Sequence, residues 1–473
     1  VPLGIRLCRV LAQTFESRFE ASTTTKDDDI FYQTVISAFQ NVLAHCASAK
    51  AELIRCGSLE RLLKRVSHDS IDVGGISFCM QVLKHASYSD AIENDNDNDN
   101  GNELITSSMR LQEAAIMVKN ATLTKYNGIS VFEKLFVTLF TSVPINPAGQ
   151  NKLSFTKQRR TELRDSYLGM VANFILESDD FKRGICNAIK NSGETSLFNR
   201  LVSFLFCEKE KTTRLRDPLS FAAEKYIPST TLALGMALLS SLSAFSLTRA
   251  QLSRSIFIEA CCECIARFTI ASGSKNRDLK LECEAALDAL CVFAGSDIDG
   301  AKLLLRSSKI NIIGLLVDCY EYADNVFDEN LHASATGSKK KTSFLLTKQK
   351  ILALLHNLSF AGDVAKAHFC AKTKSLDLLI DSLENSFDSK SKLLAASTVL
   401  SLINRGSRVV SLLHRADRAE KLRRCSYVFA EKSASNDRYS RKTRELIDLD
   451  LVRASQKLRD VMQVLCLEEQ EKF

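Results

Sequence analysis

The chain holds 473 residues, 45% apolar and 25% charged, with 63 Lys and Arg against 56 Asp and Glu for a net charge of +7. These proportions match soluble globular domains and exclude a disordered, collagen-like or polytopic membrane chain. Spread over this length the charge is a mild bias that supports solubility more than nucleic-acid binding. With 18 Gly, 5 Pro and no Trp, the turn-formers are too few for a many-turned β-sandwich or barrel, and long helices joined by loops are expected.

In chain order, residues 1–93 read as helical segments, closed by an Asn/Asp-rich loop over 94–103 in which NDNDNDN precedes Gly101. Helices are expected again over 104–207, interrupted by the Pro-bearing stretch 142–160. A charged loop over 208–229 follows, then helices over 230–322, a mobile basic loop over 323–345, and a C-terminal helical region over 346–473. Between Lys225 and Arg249 lie 23 uncharged residues, a membrane span by length alone. Their Ser and Thr content and the array around them favour a buried helix opening near Pro228 and Ser229.

A recurring order runs through these segments: an apolar helix, a short polar turn, a Lys followed by apolar residues, then a Leu-rich amphipathic helix. The clearest copy spans Ile351 to Leu383 and the second Tyr167 to Leu205. Asn357 and Lys366 in the first match Asn173 and Lys182 in the second, nine residues apart in both. Looser copies span Phe39 to Val66 and Ala286 to Cys319, with partial ones at 78–90, 261–276 and 395–413. Helical spacing stands on its own, since Leu376, Leu379, Ile380 and Leu383 share one face.

This pattern resembles the armadillo and HEAT families of helical repeats. The resemblance implies an all-α, armadillo/HEAT-like α-solenoid, a right-handed superhelix of stacked helix pairs with irregular loop insertions, in which no pair buries its apolar face alone. Residues Leu355, Asn357, Leu358, Lys366, Leu378, Leu379, Ala395, Ala396, Leu400, Leu402 and Asn404 are also similar to the C-terminal region of the rotatin family of armadillo-like proteins. That family pattern tends to carry a Trp in its penultimate helix, which this chain lacks. The likeness implies a scaffold that binds other proteins in centriole or basal-body assembly, and a cytoplasmic, centrosomal or ciliary location.

Candidate chemistry is sparse. Asn96, Asn98, Asn100 and Gly101 fit the first positions of a calcium loop, but Ser107 stands where its bidentate Glu belongs, and a solvated expansion is the better reading. Cys261, Cys262, Cys264, Cys283 and Cys291 sit in apolar helical sequence without the paired spacing of a zinc ribbon, so they read as core thiols of a reducing compartment. Residues 295–302 approach a phosphate loop, but Ala301 replaces its Lys and no strand precedes it. His45, His85 and His356 all fall near helix ends, where imidazole serves structure. The basic runs Lys339–Lys341 and Lys421, Arg423, Arg424 read as solvated loops, with nuclear-import signals or contacts to acidic partners as the alternatives.

From Ser440 onward, Leu451, Leu458 and Leu465 recur every seven residues with Ala454 and Val461 between, which suits either a capping helix or a short coiled-coil seam. The chain begins at Val1 and reads as a piece of a longer protein. The expectation is binding without catalysis, cofactor or metal: a peptide or partner helix along a groove, with Asn173, Lys182, Asn357 and Lys366 as groove or ladder positions, or with the Asn side chains capping helix ends or satisfying backbone groups within the repeat. A transport or chaperone adaptor of the same fold, or a regulatory domain of a larger enzyme, are the alternatives.

Overall fold

The computed structural model describes residues 4–10, 13, 26–66, 73–88, 101–140, 157–175, 178–192, 197–202, 204–205, 228–254, 257–270, 277–307, 311–333, 338–386, 388–443 and 448–470. Among them every regular element is helical. The chain forms two compact units, Val1–Leu242 and Ser243–Phe473. Of the expected loops over 94–103, 142–160 and 208–229, residues 94–100, 142–156 and 208–227 lie outside the described residues, while 101–103, 157–160 and Ser229 are helical, since each opens a helix.

In the first unit the helices are α1 (Lys26–His45), α2 (Ala47–Arg55), α3 (Ser58–Val66), α4 (Val73–Ala86), α5 (Gly101–Asn120), α6 (Gly128–Phe140), α7 (Lys157–Ile175), α8 (Asp179–Ser192), α9 (Leu197–Val202) and α10 (Ser229–Leu242). Each packs on the third helix after it. Thus α1 meets α4, α4 meets α7 and α7 meets α10, while α2 meets α5 and α5 meets α8, and α3 meets α6 and α6 meets α9. Gly57 makes the first tight corner possible: at φ +75° its N–H donates to the Ile54 carbonyl, closing α2 one residue before α3 begins. Aromatic rings knit the core, with Phe132 on α6 5.1 Å from Phe174 on α7 and 5.7 Å from Phe181 on α8. The buried Tyr167 hydroxyl donates to the Phe132 carbonyl at 2.8 Å, so its burial leaves no polar group unmatched.

The second unit follows the same order: α11 (Ser246–Arg254), α12 (Phe257–Ile270), α13 (Arg277–Gly295), α14 (Ile298–Ser307), α15 (Ile312–Ala333), α16 (Ser338–Ser359), α17 (Asp363–Ala371), α18 (Lys374–Asn385), α19 (Ser389–Ile403), α20 (Ser407–Leu413), α21 (Ala416–Thr443) and α22 (Leu449–Gln470). The long helices α13, α16, α19 and α22 pack in succession, as do α12, α15, α18 and α21, and the short helices α11, α14, α17 and α20. Ile351, Leu352, Leu354, Leu355 and Leu358 are fully buried along α16, which lies between α13 and α19 and also against α15. These residues span an arc of roughly 160° of the helix, wider than the ~100° stripe that one neighbour covers.

Two expectations need correction. The expected loop over 323–345 is mostly helix, because Asp324–Ala333 holds no Gly or Pro and continues α15, and the Lys run opens α16; only 334–337, with Gly337, falls outside the described residues. The uncharged stretch after Lys225 opens as a helix at Ser229 as expected, but a turn over 243–245 ends it, and no described helix is long and apolar enough to cross a membrane. At the other end, the Ala454, Leu458, Val461 and Leu465 face of α22 is buried, and α22 packs against α19 and α21 of its own chain, which leaves a capping helix.

The near-phosphate-loop sequence turns out to be a helix junction. Asp297 accepts from the Gly300 N–H at 2.7 Å to cap α14, and pairs through its other oxygen with the buried Arg249 of α11. A β-carbon on Gly300 would come 2.3 Å from the Phe293 carbonyl oxygen of α13, a contact that no side-chain rotation relieves. Gly300→Ala is therefore expected to cost about 1–3 kcal/mol in denaturant unfolding. An unchanged midpoint would show that α13 and α14 do not approach this closely.

Candidate interaction surface

The helices α13, α16, α19 and α22 run parallel, as the order of their cross-links shows. Thr347 donates to Glu284 at 2.8 Å, Lys350 Nζ pairs with Asp288 at 2.6 Å, and Asn357 Nδ2 donates to the Cys291 carbonyl at 3.0 Å. Further along, Gln349 donates to Asp388 at 2.9 Å, Ser401 to the Ser359 carbonyl at 3.4 Å, and Ser389 to Asp448. Asp388 also accepts from the Ser391 N–H at 2.7 Å and so caps α19 while joining it to α16. The first unit repeats the design. Gln40 on α1 bonds Gln81 on α4, Gln81 bonds Ser166 on α7, Asn173 Nδ2 donates to the Lys84 carbonyl at 3.1 Å, and Thr230 and Thr231 of α10 both donate to Asp165.

These rungs place the four residues singled out by sequence. Asn173 and Asn357 each hold a carbonyl on the helix three before their own. Lys182 and Lys366 do something local: each pairs with the Asp three residues earlier, Asp179 at 3.1 Å and Asp363 at 3.2 Å, at the start of a short helix. Lys366 also reaches the Arg405 carbonyl of the next turn at 3.4 Å. Both Lys side chains are under one-fifth exposed, so they present little free charge to a partner. The four longer matching segments each span the end of one long helix, a whole short helix and at least the start of the next, whereas the partial copy at 261–276 falls on α12 and is out of step.

Beside the rungs, α13 and α16 present apolar side chains to solvent. Leu281 and Val292 lie on the same side of α13 as Glu284 and Asp288, and Leu346, midway along α16, and Phe360, just past its end, flank Lys350 and Asn357; all four are 37–50% exposed. The result is a strip of two parallel helices with apolar margins beside the polar rungs. His356 borders it, its ring edge-on to Phe360 at 4.9 Å and its Nδ1 buried without a hydrogen-bond partner. Burial, and then the Lys457 charge on α22, hold its pKa below the ordinary imidazole value.

The basic run at the start of α21 is committed to the opposite row. Arg418 pairs with Asp377 at 2.6 Å, Lys421 with Asp381 at 2.7 Å and Arg424 with Glu384 at 3.0 Å, so acids one turn apart on α18 zip to bases one turn apart on α21. The Lys339–Lys341 run lies in the first turn of α16, and of its side chains nothing more follows. Cys261, Cys262, Cys264 and Cys283 are buried free thiols and Cys291 is half-buried; burial raises the Cys262 and Cys291 pKa values to about 12, which leaves both as thiols at neutral pH. Among the described residues no group of His, Cys, Asp and Glu is arranged to hold a metal ion. The calcium-like Asn96, Asn98 and Asn100 lie outside the described residues. No protein-family model matches the chain, and no curated protein matches it.

The shared offset marks Asn173 and Asn357 as equivalent positions but not the bonds they make, and Asp165, Ser166, Thr347 and Gln349 lie in polar runs that carry no such mark. Two outcomes follow. Asn357→Ala and Asn173→Ala should each destabilise their own unit by about 1 kcal/mol in denaturant unfolding, the worth of one partly buried hydrogen bond. Because folding lowers the His356 pKa, its contribution is complete above the unfolded imidazole pKa and is lost as pH falls through that value toward the folded one. Thermal unfolding at about pH 7 and about pH 5 should therefore show a smaller acid-induced loss in His356→Gln than in the parent. An equal loss would remove His356 from the acid response.

Proposed function

We propose that this chain is an armadillo/HEAT-like α-solenoid that works as a non-catalytic protein-protein interaction scaffold. The supporting observation is the packing of helices on the third one after them, which recurs within each of the two units. Units that contact only their neighbours generate extended surface in proportion to their number, and surface is what a scaffold supplies. The binding face in this reading is the one carrying the rungs, with Leu281, Val292, Leu346 and Phe360 receiving an extended peptide or a partner helix. The Asn side chains stay in their rungs and stiffen that face.

The likeness of residues 355–404 to the rotatin family gives the reading a place in the cell, as a component of centriole or basal-body assembly that recruits other proteins. Proximity labelling from a fusion of the full protein in ciliated, dividing cells tests both parts. Centrosomal puncta with centriolar neighbours, depleted by the double change Val292→Glu and Phe360→Glu, are the expected result. A diffuse signal with transport cargo would discard the centriolar role, and a protein that labels no specific neighbours anywhere would discard the scaffold.

A further inference from the structure

The net charge of the chain is not spread along it. Residues 389–473 hold 18 Lys and Arg against 11 Asp and Glu, which accounts for the whole +7, and residues 1–388 are balanced at 45 against 45. Much of the excess is neutralised internally: Arg418, Lys421 and Arg424 are zipped to α18, and Arg423 and Arg453 pair with acids on their own helices. Of the basic residues not paired in this way, three lie on the edge made by the short helices. Arg405, Arg408 and Arg415 are exposed in and around α20, Lys372 closes α17, and none of the four has an ion-pair partner among the described residues.

These side chains belong to one surface. The short helix α17 packs between α14 and α20. Lys366 of α17 reaches the Arg405 carbonyl, and its chain lies 3.4 Å from where a β-carbon on Gly406 would stand. Arg408 of α20 is near enough to Cys370 of α17 to lower that thiol's pKa against the rise that burial causes. Arg405 stands in the left-handed region at φ +57°, which turns the chain sharply between α19 and α20 and puts the residue at the corner. The carboxylates nearby are few: Asp363 faces Lys366, and Asp417 opens α21.

We propose that the edge formed by Lys372, Arg405, Arg408 and Arg415 is a docking site for an acidic segment of a partner protein, rich in Asp and Glu. This rests on the scaffold reading and names the chemistry of one of its partners. An unpaired cluster of one sign selects the opposite sign and speeds encounter with it. A peptide suits the edge better than a nucleic acid, because the exposed positions between the basic residues are Ala367, Ala371, Ser407 and Ser411 rather than aromatic rings on which bases could stack. It suits it better than a membrane, because among the described residues from Ala361 through Arg415 no large apolar side chain is exposed.

The test is fluorescence anisotropy with the full chain at low salt, using a labelled Asp/Glu peptide, its Asn/Gln counterpart, and a short DNA duplex as competitor. The acidic peptide should bind, its counterpart should not, and affinity should fall steeply with added salt. Arg405→Glu with Arg408→Glu should weaken binding about tenfold or more, and Arg408→Gln with Arg415→Gln by a smaller factor. Lys390→Glu with Lys457→Glu makes the same change in net charge elsewhere and should leave affinity within about twofold. Circular dichroism confirms that each variant folds. Equal binding of the neutral peptide, equal effects of the two reversals, or displacement by the duplex at lower concentration than unlabelled peptide would each overturn the proposal. Neighbours in the labelling experiment that survive Arg405→Glu with Arg408→Glu while peptide binding is absent would leave the scaffold standing and remove this site alone.

Discussion

The packing of long helices on more than one neighbour is the constraint from which the rest of the structure follows. Helix α16 buries Ile351, Leu352, Leu354, Leu355 and Leu358 completely, and these point in too many directions for one partner helix to cover. It needs α13 on one side, α19 on the other and α15 beneath. A helix that must be covered on both sides by helices of its own kind specifies a row, and the connections then have to return the chain to the next place in that row. Two helices do this each time, a short one and a long one, which is why contacts recur at every third element.

Rows of apolar helices leave a problem of register, and the polar rungs meet it. Hydrophobic burial is nearly indifferent to a slide of one helix turn, but Lys350 against Asp288, Thr347 against Glu284 and Asn357 against the Cys291 carbonyl are matched only in one alignment. On the other row the same task falls to ion pairs, with Arg418, Lys421 and Arg424 aligned to Asp377, Asp381 and Glu384. Exposed pairs of this kind contribute about 0–1 kcal/mol each, so their value lies in choosing an alignment rather than in holding the fold together. The energy resides in the buried Leu, Ile and Phe side chains.

The helices and the order short turn, short helix, Leu-rich helix were legible in the sequence because periodicity reports burial directly. So were Asn173 and Asn357, whose common offset from Lys182 and Lys366 marks equivalent places. Their partners were not legible: Asn357 bonds a carbonyl 66 residues away and Asn173 one 89 residues away, and nothing local encodes that distance. The stretch over 323–345 misled because its charges look like a loop, although charged residues without Gly or Pro form good helix. Lys421, Arg423 and Arg424 misled in the opposite sense, since a basic run shows no sign of the acids on α18 that neutralise most of it.

The central claim is that within a unit helices rest on the third one after them, and zero-length carbodiimide cross-linking of the intact chain tests it most directly. Three lysines form ion pairs across such steps: Lys350 with Asp288 at 2.6 Å, Lys374 with Glu321 at 3.7 Å, and Lys421 with Asp381 at 2.7 Å. Mass spectrometry should recover isopeptide bonds at all three, joining α16 to α13, α18 to α15 and α21 to α18. Their absence, with links joining these lysines to acids on unrelated helices instead, would contradict the account.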